Sequence, residues 1–239
     1  AGSIAVLSNT LDPVKAFAGF ANPSVLLVVV AFLVAQAVVK CGLGHRISLK
    51  VVSMFGKSTL GLAYSIFITD ALIAPGFPSN TARGGAIIHP IMRSIADSFG
   101  SSPELSTSKK IGRYLALVNY NTNPITSAMF ITATSPNPLI VDLIGKATNS
   151  AIKITWGQWA LAALLPGLCM LLLMPLVLYF LFPPEIKNTP NARGMARAEL
   201  DKLGPMKSSE IVTLSVLALM LLMWAGVPAM LFGPEMDLN

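Results

Sequence analysis

Charged side chains are scarce in this sequence. They make up 12% of its 239 residues, against roughly 25% in soluble domains, whereas hydrophobic residues make up 54% and the mean hydropathy is +0.67. This composition excludes an ordinary soluble domain and predicts a membrane protein. Cysteine is scarce too. Cys41 ends one apolar run and Cys169 lies within another, a spacing that indicates neither a disulfide framework nor a metal site.

The formal net charge of +6 would suit a nucleic-acid partner, but the basic residues lie in loops between apolar runs. Lys and Arg collect in the cytoplasmic loops of membrane proteins, which explains this distribution more simply. We therefore expect the lipid bilayer, and no nucleic acid, as a partner. The chain starts at Ala1 rather than Met and shows no signal-peptide pattern, so we expect a piece of a longer polytopic protein.

A helix needs about 20 apolar residues to cross a bilayer. Residues 23–41, 156–182 and 210–232 are predicted to be transmembrane helices, and an external stub at residues 1–22 precedes the first. Residues 114–145 form a fourth apolar stretch, but many Asn, Thr and Ser side chains lie within it, and Pro124 and Pro136 interrupt it. We therefore predict a broken transmembrane helix in this region.

Three basic segments decide the expected topology, at residues 40–57, 101–113 and 183–209. If all three are cytoplasmic, the apolar stretch between the first two must begin and end on the same side of the membrane. Residues 58–98 are therefore predicted to form a re-entrant helical hairpin with its tip at 77–85. Residues 42–57 would form an interfacial amphipathic helix, and residues 183–209 a basic cytoplasmic linker.

The predicted hairpin tip is polar although apolar sequence flanks it. Pro75, Gly76 and Pro78 break the helix, and the polar residues 79–85 follow. Backbone N–H groups at the start of the second arm, together with hydroxyl and amide side chains, suit a carboxylate or another oxyanion. The alternative is an ordinary turn in which Ser79 or Asn80 caps the second arm.

Arg83 would be costly at membrane depth unless it pairs or faces water. It could bind a substrate carboxylate, replace a coupling cation, or pair with Asp70 in the facing arm. His89 and Arg93, further along the second arm, are interpreted as packing or pore-lining residues. No second histidine stands at metal-ligand spacing, so we expect no transition-metal site.

A second polar cluster lies within the broken helix, at residues 123–127 and 132–138. Discontinuous membrane helices place oxygen atoms and unwound carbonyl groups near the midplane, so this cluster suits a substrate or a hard cation such as Na⁺. For the individual Ser, Thr and Asn side chains, hydrogen bonding between helices is the alternative role.

The two clusters resemble those of a known family. Residues 78–85, Pro-Ser-Asn-Thr-Ala-Arg-Gly-Gly, resemble the Ser-Asn-Thr signature of the divalent anion–sodium symporter family. Their form is similar to that of the 2-oxoglutarate/malate translocators and the citrate/succinate antiporters. Residues 134–137, Thr-Ser-Pro-Asn, resemble the second conserved tip of the same repeat, and residues 20–25 and 38–44 are also similar.

The resemblance implies an elevator-type secondary transporter of di- and tricarboxylates, built from two inverted repeats and homodimeric at full length. It would lie in the bacterial inner membrane with its basic loops in the cytoplasm, without enzymatic activity and without a cofactor other than Na⁺. This chain would hold the first repeat and the opening helix of the second, so half of the site would lie elsewhere. Ser8-Asn9-Thr10 repeats the letters of the signature but lies in the polar stub.

The resemblance also implies roles for individual residues. Ser79, Asn80 and Thr81 would bind the substrate carboxylate, with Arg83 as a further candidate. The candidates for the cation site are Asn80, Thr126, Ser127, Thr134, Ser135 and Asn137.

Arg83 bears on the coupling mechanism. A fixed positive charge in place of Na⁺ would give a carrier that cannot easily return empty, which favours anion exchange over the alternative, Na⁺-coupled symport. The alternative functions from other classes of protein are a channel-like module and an intramembrane enzyme. Neither His45 nor His89 has a catalytic partner at a recognisable spacing.

Overall fold

The computed structural model describes residues 2–21 and 23–233. Within these residues every regular element is helical, and β pairing is limited to one bridge between Ser58 and Asn188. The all-α fold class predicted from the sequence is therefore confirmed. The α-helices are α1 (Gly2–Leu7), α2 (Pro13–Phe17), α3 (Pro23–Cys41), α4 (Leu43–Phe55), α5 (Thr59–Ile73), α6 (Asn80–Ala82), α7 (His89–Ser98), α8 (Gly112–Met129), α9 (Pro136–Ala147), α10 (Trp156–Leu181), α11 (Pro190–Leu203), α12 (Ser208–Trp224) and α13 (Val227–Phe232).

Among the described residues, two helices are long and apolar enough to cross a membrane alone, Thr59–Gly76 and Trp156–Leu181. The predicted span at residues 210–232 is divided, because α12 ends at Trp224 and Gly226, with φ of 74°, caps the start of α13. In the predicted stub, α1 and α2 are short exposed helices that the sequence did not predict. Ala1 and Asn22 of the stub lie outside the described residues.

Residues 58–98 form a helical hairpin, and its re-entrant insertion into a membrane stays a prediction. The Ser58 side chain caps α5 by accepting from the Gly61 N–H, and a 3₁₀ turn at Ala74–Gly76 ends the first arm. The second arm contains α6, a π-helix at Arg83–Ile88, and α7. Leu62 and Ile66 of the first arm belong to one buried cluster with Ile91 and Ile95 of the second. The chain therefore enters and leaves the hairpin at the same end.

The broken helix differs from the prediction at one of its two prolines. Helix α8 continues through Pro124 to Met129, and the break comes only at the 3₁₀ turn Ile131–Ala133, before Pro136 opens α9. The predicted interruption at Pro124 is wrong. Around this proline the Ser127 hydroxyl donates to the Asn123 carbonyl at 2.7 Å and adds a hydrogen bond to the helix.

The three basic segments meet at one end of the molecule. The Thr189 N–H donates to the Lys57 carbonyl (2.9 Å), and the Ile186 N–H donates to the Lys110 carbonyl (3.0 Å). At the same end, the Arg113 guanidinium lies 5.6 Å from the ring centroid of Phe182, just past the end of α10. The predicted linker at residues 183–209 is thus an ordered segment, and its helix α11 packs against α4.

Helix α4 lies beside the hairpin. Leu43, at its start, shares a buried cluster with Ile73 and Phe77, whereas Val52, near its end, shares another with Leu62. It therefore runs antiparallel to α5 along the first arm. Its predicted interfacial position in a membrane stays a prediction.

Candidate functional site

The hairpin tip is held by local side-chain caps. The Ser79 side chain accepts from the Ala82 N–H (3.2 Å), and the Asn80 Oδ1 accepts from the Thr81 N–H (2.8 Å). These two backbone N–H groups, which the sequence predicted as free anion donors, are therefore occupied within the turn. The Asn80 amide NH₂ has no acceptor among the described residues, and Thr81 is exposed. The tip can thus offer ligands the side chains of Asn80 and Thr81.

A groove of ≈ 710 Å³ lies between the second arm and α8. Its lining residues include no Lys, Arg, Asp or Glu, and its walls carry amide, hydroxyl and backbone groups. Glycines at positions 84 and 85 leave its floor open, and nothing lies within 4 Å of a Cβ built at Gly85. The lining residues are Asn80, Thr81, Gly84, Gly85, His89, Met92, Ala116, Asn119, Tyr120, Asn121, Asn123 and Pro124.

Helix α8 supplies the wall of this groove opposite the tip; the sequence analysis assigned its residues 123–127 to a site, but not the positions before them. Positions 116, 119, 120 and 123 all line the groove, and this spacing of three and four residues marks one face of a helix. The Asn119 Nδ2 donates to the Gly84 carbonyl (3.3 Å), whereas its Oδ1 is buried without a partner among the described residues. That helical spacing was the signal available in the sequence.

The π-helix at Arg83–Ile88 shapes the second arm. The His89 N–H bonds to the Gly84 carbonyl, five residues earlier, rather than to the residue four before it. Such π turns widen a helix locally and are frequent at functional sites. Here the π turn places Gly84 and Gly85 in the groove while Arg83 points into the protein.

Arg83 is buried, with 1% of its surface exposed, and every N–H of its guanidinium donates to the protein. The Nε donates to Asp70 Oδ1 (2.8 Å). The Nη1 donates to the carbonyls of Phe77 (2.7 Å) and Ala133 (2.6 Å). The Nη2 donates to the hydroxyls of Ser127 (2.7 Å) and Thr126 (3.5 Å). This geometry leaves no N–H of Arg83 for a substrate carboxylate.

Asp70 is equally buried and completes the same network. Its Oδ1 accepts from Arg83, and its Oδ2 accepts from the Asn123 Nδ2 (3.1 Å) and from the Thr126 hydroxyl. Of the three roles considered for Arg83, pairing with Asp70 is the one that the structure shows. The pair is electrically neutral as a whole, so the structure does not contain the uncompensated positive charge on which the exchange argument was based.

The cation candidates separate into four places. Thr126 and Ser127 direct their hydroxyl oxygens at the Arg83 guanidinium, and Asn80 faces the groove. The Asn137 Nδ2 donates to the carbonyls of Ser127 (2.9 Å) and Phe130 (3.0 Å), so Asn137 caps the end of α8. Ser135 lines an apolar cleft beside α3, and Thr134 next to it is half-buried.

Charged and sulfur-bearing side chains give no sign of a metal centre in residues 2–21 and 23–233. These residues contain no group of three His, Cys, Asp or Glu side chains close enough to hold a metal ion. The chemistry that the site offers is recognition by neutral hydrogen-bonding groups, next to a buried ion pair.

The sequence as a whole agrees with a transporter site. Residues 3–230 match the sodium:sulfate symporter transmembrane region. The chain belongs to this family. This membership confirms the family expected from residues 78–85.

Several curated members of the sodium:sulfate symporter family are similar to this chain. It is 45% identical over 222 residues to the putative malate transporter YflS of Bacillus subtilis, an alignment that covers 93% of the chain and 46% of YflS. It is 41% identical over 234 residues to the chloroplastic dicarboxylate transporter 1 of Spinacia oleracea, covering 98% and 40%. It is 36% identical over 209 residues to the L-tartrate/succinate antiporter of Escherichia coli, covering 87% and 42%. The chain thus spans less than half the length of these relatives.

Proposed function

We propose that the full-length protein is a secondary transporter that exchanges di- and tricarboxylates across the bacterial inner membrane as a homodimer. In this proposal, the present chain supplies one half of the substrate site. The observation that carries the proposal is the groove at the hairpin tip, where Asn80 and Thr81 face the amide side chains of α8. The names of the similar malate, dicarboxylate and tartrate/succinate transporters support a carboxylate substrate.

The groove suits a small carboxylate for a physical reason. Neutral amide and hydroxyl donors can replace the water around an anion and release it again, whereas a direct bidentate ion pair with Arg would hold it more tightly. We assign the direct contacts to Asn80 and Thr81. Ser79 holds the turn in shape, and Arg83 acts from behind the groove.

The network around Arg83 favours exchange over Na⁺-coupled symport. The oxygens of Thr126, Ser127 and the Ala133 carbonyl are the hard ligands that a Na⁺ at this position would need. The Arg83 guanidinium already donates a hydrogen bond to each of these three oxygens. Because the guanidinium is covalently attached to the protein, it cannot move down a concentration gradient as Na⁺ does. It therefore cannot drive transport with the energy of such a gradient. Na⁺-coupled symport remains the alternative, since the other half of the site is outside this chain.

Counterflow of labelled malate by the full-length protein in proteoliposomes tests this function. We expect uptake that requires unlabelled dicarboxylate inside and is the same in Na⁺ and in choline. Asn80→Ala should reduce uptake by roughly five- to thirtyfold, since losing a substrate-binding hydrogen bond costs about 1–2 kcal/mol. Asn9→Ala is the matched control, because Ser8-Asn9-Thr10 has the same letters and lies in the exposed N-terminal segment. Uptake that demands external Na⁺ would contradict exchange, and equal loss in both variants would contradict the site.

A further inference from the structure

A second cavity, of ≈ 940 Å³, lies where α4, α11 and α12 meet, beside the first arm of the hairpin. It joins two of the basic segments, the one before the hairpin and the one between α10 and α12. One part of its wall is cationic and another is apolar. The residues that line it are Leu43, Arg46, Ile47, Lys50, Val51, Ser53, Met54, Leu72, Arg193, Arg197, Leu200, Asp201, Met206 and Leu214.

The cationic wall contains more basic residues than carboxylate partners. Arg46 is the one lining base with a carboxylate partner among the described residues, because its Nε and Nη2 donate to Glu210 at 2.8 and 3.1 Å. Lys50, Arg193 and Arg197 form no ion pair within the described part of the chain. Asp201 is the single acid among the lining residues. The cavity therefore carries an excess of positive charge.

Arg193 gives an independent sign of a missing ligand. Its Nε is buried yet has no hydrogen-bond partner in the described residues. A buried N–H of a charged group without an acceptor costs free energy, and such a group normally has a partner or a bound ligand. The acceptor that best matches a guanidinium beside other cations is a phosphate or a carboxylate.

The apolar wall distinguishes a lipid from a soluble anion. Met54 and Leu72 are each 57% exposed, and Leu214 is 42% exposed. Leu72 belongs to the apolar helix Thr59–Gly76 and Leu214 to α12, so the apolar surface continues from the cationic wall onto two hydrophobic helices. A soluble phosphate would leave this surface uncovered, whereas acyl chains would bury it.

We propose that this cavity binds an anionic phospholipid. The headgroup phosphate binds to Arg193, Arg197 and Lys50. The acyl chains lie against Met54, Leu72 and Leu214. Basic pockets between membrane helices recognise anionic headgroups in this way. The occupant would tie α11 to the hairpin side of the molecule. This proposal does not depend on the identity of the transported substrate.

Native mass spectrometry of the purified full-length protein tests the site, with phosphatidylglycerol and phosphatidylcholine compared at equal concentration. The test variant is Lys50→Gln/Arg193→Gln/Arg197→Gln. The matched control, Lys15→Gln/Lys153→Gln/Lys187→Gln, removes the same charge from exposed positions outside the cavity. Each Lys or Arg near an anionic lipid strengthens its binding constant about fivefold. We therefore expect roughly a hundredfold weaker phosphatidylglycerol binding in the test variant and no change in the control.

Other occupants give different results. If inorganic phosphate in excess displaces phosphatidylglycerol completely, the site recognises a soluble anion and the lipid proposal is wrong. Equal retention of the two lipids, or equal loss in both triple variants, would also overturn it. The single reversal Arg197→Glu, at an exposed position that leaves the core intact, should weaken binding as well. This second variant keeps the test decisive if the triple variant is unstable.

Discussion

At the scale of single residues, Arg83 organises the site. Its five N–H groups reach acceptors in the first arm, the tip, α8 and the turn after α8. Arg is the side chain that carries five donors in a fixed planar fork, so no other residue could tie these four elements together at one point. The tip of the hairpin and the broken helix are therefore coupled through one guanidinium.

Replacing Asp70 tests this role. Asp70→Asn leaves the Arg83 cation buried without its counter-charge, which should cost about 3–5 kcal/mol and strongly lower the melting temperature of the purified full-length protein. Arg93→Gln is the control on the same hairpin. Arg93 is 44% exposed in its pairs with Asp97 and Glu104, so its loss should leave the melting temperature nearly unchanged. Similar melting temperatures for Asp70→Asn and the unchanged protein would contradict a structural ion pair.

The sequence identified Arg83 as important but could not choose among its possible partners. Asp70 and Arg83 are 13 residues apart, and the helix break between them can in principle leave the two side chains on any relative face. The π-helix after Arg83 compounds this, because it turns the following residues away from the positions that α-helical spacing predicts. The sequence therefore predicted the position of the helix break, but not which tip residues face the groove, and the binding chemistry of the tip stays a prediction.

At the scale of elements, local rules predicted the apolar helices and the hairpin. Pro75 and Pro78 stop the first arm, and Ser79 caps the second. The rules failed where tertiary contacts decide. Helix α11 is polar and contains Gly194, so its sequence gives little sign of a helix, yet packing of Ala192 and Ala196 in the core against α4 and α7 stabilises it. At Pro124 the rules failed in the opposite direction. They predicted a helix break there, yet α8 continues through this proline.

Asn137 at the joint between α8 and α9 separates two roles by substitution. As the cap seen here, it must donate to two carbonyls, so Asn137→Asp should destabilise the full-length protein as much as Asn137→Ala, by about 1–3 kcal/mol. As a cation ligand, it would contribute an oxygen, which Asp retains. Thermal unfolding of both variants with and without Na⁺ distinguishes these roles. A stable Asn137→Asp protein whose melting temperature rises with Na⁺ would favour the cation site.

At the scale of the whole molecule, the three basic segments support one another. Hydrogen bonds join residues 185–189 to Lys57 and to Lys109 and Lys110, so the hairpin leaves and re-enters a single polar end. Helix α10 begins at Trp156, at the end far from the basic segments. The Trp156 Nε1 donates to the Thr132 hydroxyl, which lies beside the break after α8. The loop at residues 148–155 therefore lies at the end of α10 away from the basic segments.

This arrangement predicts the result of a labelling experiment on the full-length protein. Single cysteines replace Lys57, Lys109, Lys187 or Lys153 in a background with Cys41 and Cys169 changed to Ser. A membrane-impermeant maleimide should label Lys57→Cys, Lys109→Cys and Lys187→Cys from the cytoplasmic side, because basic loops stay inside. Lys153→Cys should react from the outside. Helix Thr59–Gly76 is long enough to cross a bilayer alone, and if the second arm did not return through it, position 109 would lie on the opposite side from position 57. Labelling of Lys109→Cys together with Lys153→Cys would therefore show that the hairpin does not re-enter.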